Sequence, residues 1–310
     1  MKECNLYKKE GIKLRCLACS QRCLISNNKT GICGIRKNIG GKLYLLVYGK
    51  PCAVHVDPIE KKPLYHFLPG SSAFSIGTFG CNFKCDWCQN WDISQRNKNS
   101  IKNNQKEIEI DGYDLSPMQV VEKAIENKCK SIAYTYNEPA IFAEYVYDCA
   151  KIAHNRGIKN VLVTNGYFSR ESFDYLIKDK LIDAVNIDLK SFNSKTYLKH
   201  CGARLKNVLE NIKWFYEEGV HIEITTLIVP YVNDSEAELK KIARFISKID
   251  KNIPWHISRF FPNYKMHDKE PTGLKILEKA YEIGKKAGLK FVYLGNVLFH
   301  LNQKLINPDT

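Results

Sequence analysis

From about Ala73 onward, short apolar runs alternate with longer amphipathic periods. Phe74–Thr78, Ser131–Tyr134, Asn160–Thr164, Ala184–Asp188, His221–Val229 and Trp255–Phe260 have the length and β-branched content of buried strands. Lys290–Leu294 is a seventh candidate. Between them, Pro117–Lys128, Ala140–Arg156, Arg170–Lys178, Leu205–Glu218, Ser235–Lys248 and Gly273–Ala287 read as helices. Ser116 and Asp234 or Ser235 stand where N-caps belong, and Gly157 and Gly288 where helices end. Strand–helix alternation at this spacing predicts βαβ units and a parallel sheet. Six or so units predict an α/β fold, a partial (β/α)6 TIM-like barrel; a closed barrel would need eight.

The first 70 residues break this pattern. They are short-period, turn-rich and cysteine-bearing, with one strand-like stretch at Lys42–Tyr48. Pro51 to Pro69 carries several X-Pro steps and reads as a connector. The expected organisation is a cysteine-rich extension over 1–70, a barrel over 71–297 and a tail over 298–310. Gln95–Asp114 is polar and aperiodic, which predicts a mobile loop.

A 310-residue chain that is 44% hydrophobic and 26% charged can bury a full core, which excludes general disorder. The net charge is +14, but the lysines are scattered. The longest basic cluster, Arg96 to Lys106, is interrupted by asparagines, so the charge reads as a solvated surface and disfavours nucleic acid as a partner. No apolar run approaches the ~20 residues of a membrane span, and Met1–Lys13 lacks the apolar core of a secretory signal, so the cytoplasm is the expected location. In that compartment twelve cysteines point to metal or redox chemistry rather than disulfides. Seven fall in two clusters; Cys4, Cys52, Cys129, Cys149 and Cys201 read as small hydrophobes.

The later cluster is Cys81, Cys85 and Cys88, spaced C-x3-C-x2-C directly after the first barrel strand. Three thiolates on one short loop can hold three irons of a cubane and leave the fourth without a protein ligand. Structural zinc wants four ligands, and this set is one short. The earlier cluster, Cys16, Cys19, Cys23 and Cys33, supplies four thiols. Its spacing suits zinc and a second iron–sulfur cluster equally.

With Trp87 as the aromatic, C-x3-C-x-aromatic-C resembles the signature loop of the radical S-adenosylmethionine (SAM) superfamily. That resemblance implies a [4Fe–4S] cluster at Cys81, Cys85 and Cys88 whose open iron chelates SAM. It also implies reductive cleavage of SAM to a 5′-deoxyadenosyl radical that abstracts hydrogen from a substrate. Segments at later strand ends extend the likeness. Tyr136-Asn137-Glu138-Pro139 resembles Gly-Gly-Glu-Pro with both glycines replaced, and Thr164-Asn165-Gly166 resembles Asp-Thr-Asn-Gly with Val163 in place of the aspartate. Along Asn186-Ile187-Asp188-Leu189-Lys190 the polar residues share one face. The family analogy thus implies a SAM site lined by Tyr136, Asn137, Glu138, Asn165, Asp188 and Lys190. His256 and Arg259 on the sixth strand are further candidates for substrate or SAM contact.

From Cys16 to about Asn296 the chain resembles the AmmeMemoRadiSam system radical SAM enzymes, close to the pyruvate formate-lyase activating enzymes. Gly49–Pro63, Phe67–Gly70, Cys88–Gln95 and Tyr293–Val297 carry this likeness. It implies an oxidoreductase served by a low-potential electron donor of flavodoxin or ferredoxin type. The substrate is left open between a partner protein, such as a glycyl-radical enzyme, and a small molecule. Members commonly continue into a Cys-x2-Cys tail, whereas Leu298–Thr310 has no cysteine, so a site using that tail is expected to be absent or altered. Two rivals remain at this level: a zinc-dependent nucleic-acid-binding protein, and an RNA-modifying radical SAM enzyme.

Overall fold

Residues 1–96 and 110–297 are described in the computed structural model of the chain. The basic cluster after Arg96, most of the Gln95–Asp114 segment and the 298–310 tail lie outside the described residues.

The predicted strands form one sheet of eight. Seven are parallel and adjacent in chain order: β8 (Ser72–Gly77), β9 (Ser131–Tyr134), β10 (Lys159–Thr164), β11 (Ala184–Asp188), β12 (His221–Ile228), β13 (Trp255–Arg259) and β14 (Val292–Gly295). Strand-to-strand connection is made by α1 (Pro117–Glu126), α2 (Ala143–Asn155), α3 (Arg170–Ile177), α4 (Leu205–Glu217), α5 (Glu236–Ile249) and α6 (Leu274–Lys286). The result is the expected partial (β/α)6 barrel with a seventh parallel strand. Strands β9 and β11 are buried almost throughout, as a sheet covered on both faces requires. Helix α5 buries Leu239, Ile242, Ala243 and Ile246, a single stripe at helical spacing. Ser116 caps α1 in a capping box with Gln119, and Ser235 caps α5.

The Pro51–Pro69 passage is not a connector. It contains β7 (Ala53–Pro58), which pairs antiparallel with β8 and starts the barrel sheet before residue 71. Pro58 is tolerated as the last residue of β7 because β7 is an edge strand. The loop after β7 then crosses the base of the barrel. Backbone N–H groups of Tyr65 and His66 donate to Glu223 on β12 at 3.0 and 2.8 Å. Tyr65 also meets His256 edge-on, and His66 reaches the Tyr293 hydroxyl at 2.6 Å. This loop therefore ties the first edge of the open sheet to its last strands.

The N-terminal extension is two small antiparallel sheets. One has the order β1 (Lys2–Glu3), β6 (Lys42–Leu45), β5 (Arg36–Ile39); the other is β2 (Tyr7–Glu10), β3 (Lys13–Cys16), β4 (Leu24–Ile25). So small a unit has little core of its own. Its apolar residues instead join the main core of the barrel. The docking is fixed by Arg36, whose guanidinium pairs with Glu144 of α2 and donates to the Ile141 carbonyl at 2.7 Å. Both side chains of the pair are fully buried. Glu144 accepts in addition from the Asn5 and Leu6 backbone, so this buried charge is neutralised and hydrogen-bonded.

Candidate active site

Strand β8 ends at Gly77, and the chain turns at once into the loop carrying Cys81, Cys85 and Cys88. The loop has almost no regular structure, so its shape depends on neighbours. Asn137, at the end of β9, braces its start: the Asn137 amide donates to the Thr78 hydroxyl and the Gly80 carbonyl at 2.9 Å each and accepts from the Thr78 N–H at 3.1 Å. The loop then crosses the top of the barrel. Lys84 N–H donates to the Cys201 carbonyl at 2.9 Å and Asp86 N–H to the His200 carbonyl at 3.2 Å. Both acceptors belong to a π-helical turn, Tyr197–Cys201, after β11. Such turns widen the backbone and expose extra acceptors. Asp86 also pairs with His200 and Lys265, and Trp91 stacks on Tyr264 at 5.6 Å. The cysteine loop and the base loop thus clasp the open barrel at opposite ends.

Cys81, Cys85 and Cys88 open onto one cavity of about 340 Å³ at the C-terminal ends of the strands. Catalytic sites of β/α barrels lie at this end. Tyr136, Asn137, Glu138, Asn165, Asp188 and Lys190 line the same cavity, so the residues singled out from separate segments are brought together. Their roles differ. Asn137 is spent on the cysteine loop. Tyr136 has a left-handed φ of 67°, and its hydroxyl donates to Asp57 at 2.5 Å. Asp188, the last residue of β11, and Lys190, just beyond it, form an ion pair at 2.9 Å on the cavity side, where the alternation predicts both.

Glu138 is fully buried, with its carboxylate held by the Asn165 N–H at 2.7 Å, the Ala140 N–H at 3.0 Å and the Thr164 hydroxyl at 2.7 Å. Burial pushes its carboxyl up to about 7, against these three donors. Nearby, Asn165 donates to the Asn82 side chain at 2.8 Å, yet Asn165 Oδ1 and Asn82 Nδ2 are buried without partners. Buried polar atoms of this kind are expensive unless a ligand satisfies them.

The donor chemistry fits an iron–sulfur cluster. Among the described residues, the cavity wall holds three thiols and no fourth thiol or imidazole. Nor do three His, Cys, Asp or Glu side chains of the described residues converge as ligands of a single ion would. The Cys201 thiol beside Cys85, together with burial, pushes the Cys85 thiol well up, and burial raises Cys88 as well. Both are therefore protonated in the metal-free chain, and cluster binding would displace their protons. Lys190 opposes the shift at both sulfurs and supplies positive charge beside the thiolates.

Two sequence candidates fall elsewhere. His256 sits at the base of the barrel, 2.6 Å from Glu223, and Arg259 donates to the Thr272 carbonyl at 2.8 Å. Neither lines the cavity. His256 points to the base because it sits early on β13, where the closing loop fills the barrel floor. Sequence reasoning missed Asn82, Lys61, Lys62 and Ser94, all at or beside the cavity. Lys61 and Lys62 arrive from the base loop, for which the sequence offers no spatial signal.

Cys16, Cys19, Cys23 and Cys33 all lie in the extension, against the outer side of the cysteine loop. Gln21 donates to the carbonyls of Asn82 at 3.1 Å and Gly202 at 2.8 Å, and Cys19 pairs with Phe168.

Comparison with known proteins agrees with this geometry. The profile of the Radical SAM superfamily matches residues 75–246. The uncharacterized protein MJ0808 of Methanocaldococcus jannaschii is 40% identical over 100% of this chain and 89% of its own length. MJ1632 of the same organism, named after the glycyl-radical enzyme activating enzymes, is 30% identical over 76% of this chain and 83% of its own. A radical SAM methyltransferase from Sphaerobacter thermophilus superposes with a TM-score of 0.56 at 13% identity, covering 74% of this chain and 67% of that one, which is a likeness of fold.

Proposed function

Because the chain belongs to the radical SAM superfamily, we propose that Cys81, Cys85 and Cys88 hold its [4Fe–4S] cluster and that SAM binds in the cavity they share. The observation that carries this reading is the opening of three thiols, with no fourth among the described residues, onto one cavity at the catalytic end of the barrel. Together the two groups supply one-electron cleavage of a sulfonium carbon–sulfur bond and a hydrogen-abstracting organic radical.

The chain's own residues hold the reactants and keep water out. Asn165 Oδ1 and Asn82 Nδ2 offer an acceptor and a donor that a polar cosubstrate would satisfy. Glu138 places a carboxyl on the cavity wall that a nearby cation would hold ionised, and Asp188 with Lys190 gives a second charged pair. The base loop, through Lys61, Lys62 and Pro63, closes the floor and shields the cavity from below.

Two finer readings follow. The chain acts in the manner of a glycyl-radical enzyme activase, drawing hydrogen from a protein and taking electrons from a flavodoxin- or ferredoxin-type donor. Its likeness to MJ1632 and its net charge of +14, which suits an acidic partner, support this. Membership of the AmmeMemoRadiSam subgroup, read from the sequence strings, is compatible with it. In the second reading, Cys16, Cys19, Cys23 and Cys33, which are not gathered as ligands of a single ion in the metal-free chain, draw together on a further metal, zinc or iron–sulfur.

Anaerobic reconstitution followed by SAM and dithionite tests the central reading. The protein should turn brown, bind about four irons or more and release deoxyadenosine, and Cys85→Ala should abolish that release. Colourless, iron-free protein, or unchanged deoxyadenosine from Cys85→Ala, would overturn it.

A further inference from the structure

The short helix Trp91–Ser94 follows the last cysteine of the loop and ends on two polar residues that are almost completely buried, Ser94 and Gln95. Burial of a hydroxyl and an amide needs specific partners. Gln95 Nε2 lies 3.2 Å from the Phe83 carbonyl oxygen and 3.0 Å from Ser94 Oγ. A carbonyl oxygen only accepts, so the Phe83 contact fixes that atom of Gln95 as the amide nitrogen. The same nitrogen must then donate to Ser94 Oγ. With one lone pair of Ser94 occupied, its O–H is free to point the other way, where Cys88 Sγ lies 3.1 Å from Ser94 Oγ.

We infer that Ser94 is a positioning residue that donates a hydrogen bond to the Cys88 thiolate, oriented by Gln95, and so raises the reduction potential of the cluster. The inference rests on the three-thiol reading above. A thiolate ligating iron carries no proton and can only accept, which removes the ambiguity of direction. A donor aimed at a ligating sulfur withdraws electron density from it and stabilises the more negative, reduced cluster. Cys81 receives a backbone N–H, that of Phe83, at 3.4 Å. At Cys88 the donor is a side chain and can be deleted without touching the loop's backbone.

The experiment is a redox titration of the reconstituted full chain, following the electron-spin resonance of the reduced cluster. Ser94→Ala is expected to hold as much iron as the wild type. At a fixed potential its ratio of reduced to oxidised cluster should fall roughly tenfold, about 59 mV for a one-electron couple. Ser94→Thr, which keeps the hydroxyl, should behave as the wild type. After exchange into deuterated buffer, the wild type should show a deuteron coupled to the cluster that Ser94→Ala lacks. An unchanged potential in Ser94→Ala, or an unchanged set of coupled deuterons, overturns the inference. Should Ser94→Ala not hold iron, Ser94→Gly is titrated in its place, with the same fall expected and the same unchanged potential overturning the inference. Loss of iron from both, with Ser94→Thr loading normally, overturns the inference, since the hydroxyl would then serve cluster assembly rather than the potential. A wild type that binds no iron instead defeats the three-thiol reading itself, a result recognisable before any titration.

Discussion

A β-carbon on Gly80 would run into the carbonyl oxygen of Cys33. The residue preceding the first thiol of the barrel loop is thus pressed against the backbone of the last of the four clustered cysteines of the extension. Gly80 also has a φ of 87°, which an L side chain rarely adopts. Gly80→Ala should therefore push the two cysteine segments apart. The expected outcome is at least a several-fold drop in iron bound on reconstitution, with the far-ultraviolet circular dichroism of the barrel unchanged. Wild-type iron content in that variant would contradict it.

The same contact bears on the second metal site. If Cys16, Cys19, Cys23 and Cys33 hold a metal, the whole chain should bind more than the cubane alone. Cys23→Ala should lose that excess and keep the irons held by Cys81, Cys85 and Cys88. Elemental analysis for zinc and iron on both proteins decides it, and equal metal content would remove the proposed site.

Arg36 and Glu144 are joined in an ion pair with both side chains essentially inaccessible, at 1% and 0% exposure. Arg36→Met would leave Glu144 buried without its charge partner. Breaking such a pair costs about 3–5 kcal/mol. Because Arg36 belongs to the extension and Glu144 to α2, the loss should appear first as undocking. Hydrogen exchange should accelerate in residues 1–50 of the variant before it does in the barrel strands. Uniform acceleration throughout would refute local undocking.

Glu223 sets the acid limit of the base clasp. Burial alone would raise its carboxyl, but His221, His256 and the His66 N–H outweigh it and hold the group down at about 2. A depressed carboxyl stabilises the fold in its ionised form. That stabilisation is complete above the ordinary glutamate value of about 4.5 and is lost as pH falls towards about 2. The shift corresponds to roughly 3 kcal/mol. Denaturant titrations between pH 5 and pH 2.5 should show the wild type losing stability more steeply than Glu223→Gln. Parallel slopes would show that Glu223 is not responsible.

Local pattern determined the helices and parallel strands of this protein to within about three residues at each end. Ser131–Tyr134 and Ala184–Asp188 fall where apolar runs bounded by polar segments place them, and Ser116 and Ser235 cap the helices they precede. Such features depend on neighbours within a few positions. The gathering of Cys81, Cys85 and Cys88 on one cavity was also legible, because three side chains on one loop need only a short stretch of chain. The alternation of Asn186, Asp188 and Lys190 likewise fixed their shared face, and all three line the cavity. Tertiary structure alone decided the rest. It turned the Pro51–Pro69 passage into an edge strand and a floor, and sent His256 to Glu223 rather than to the cavity. It set Ser94 against Cys88 and Cys33 against Gly80. These relationships join a loop to its own far side or to segments tens to hundreds of positions away. No residue in either partner announces the other, since the contact exists only once the barrel has closed around both.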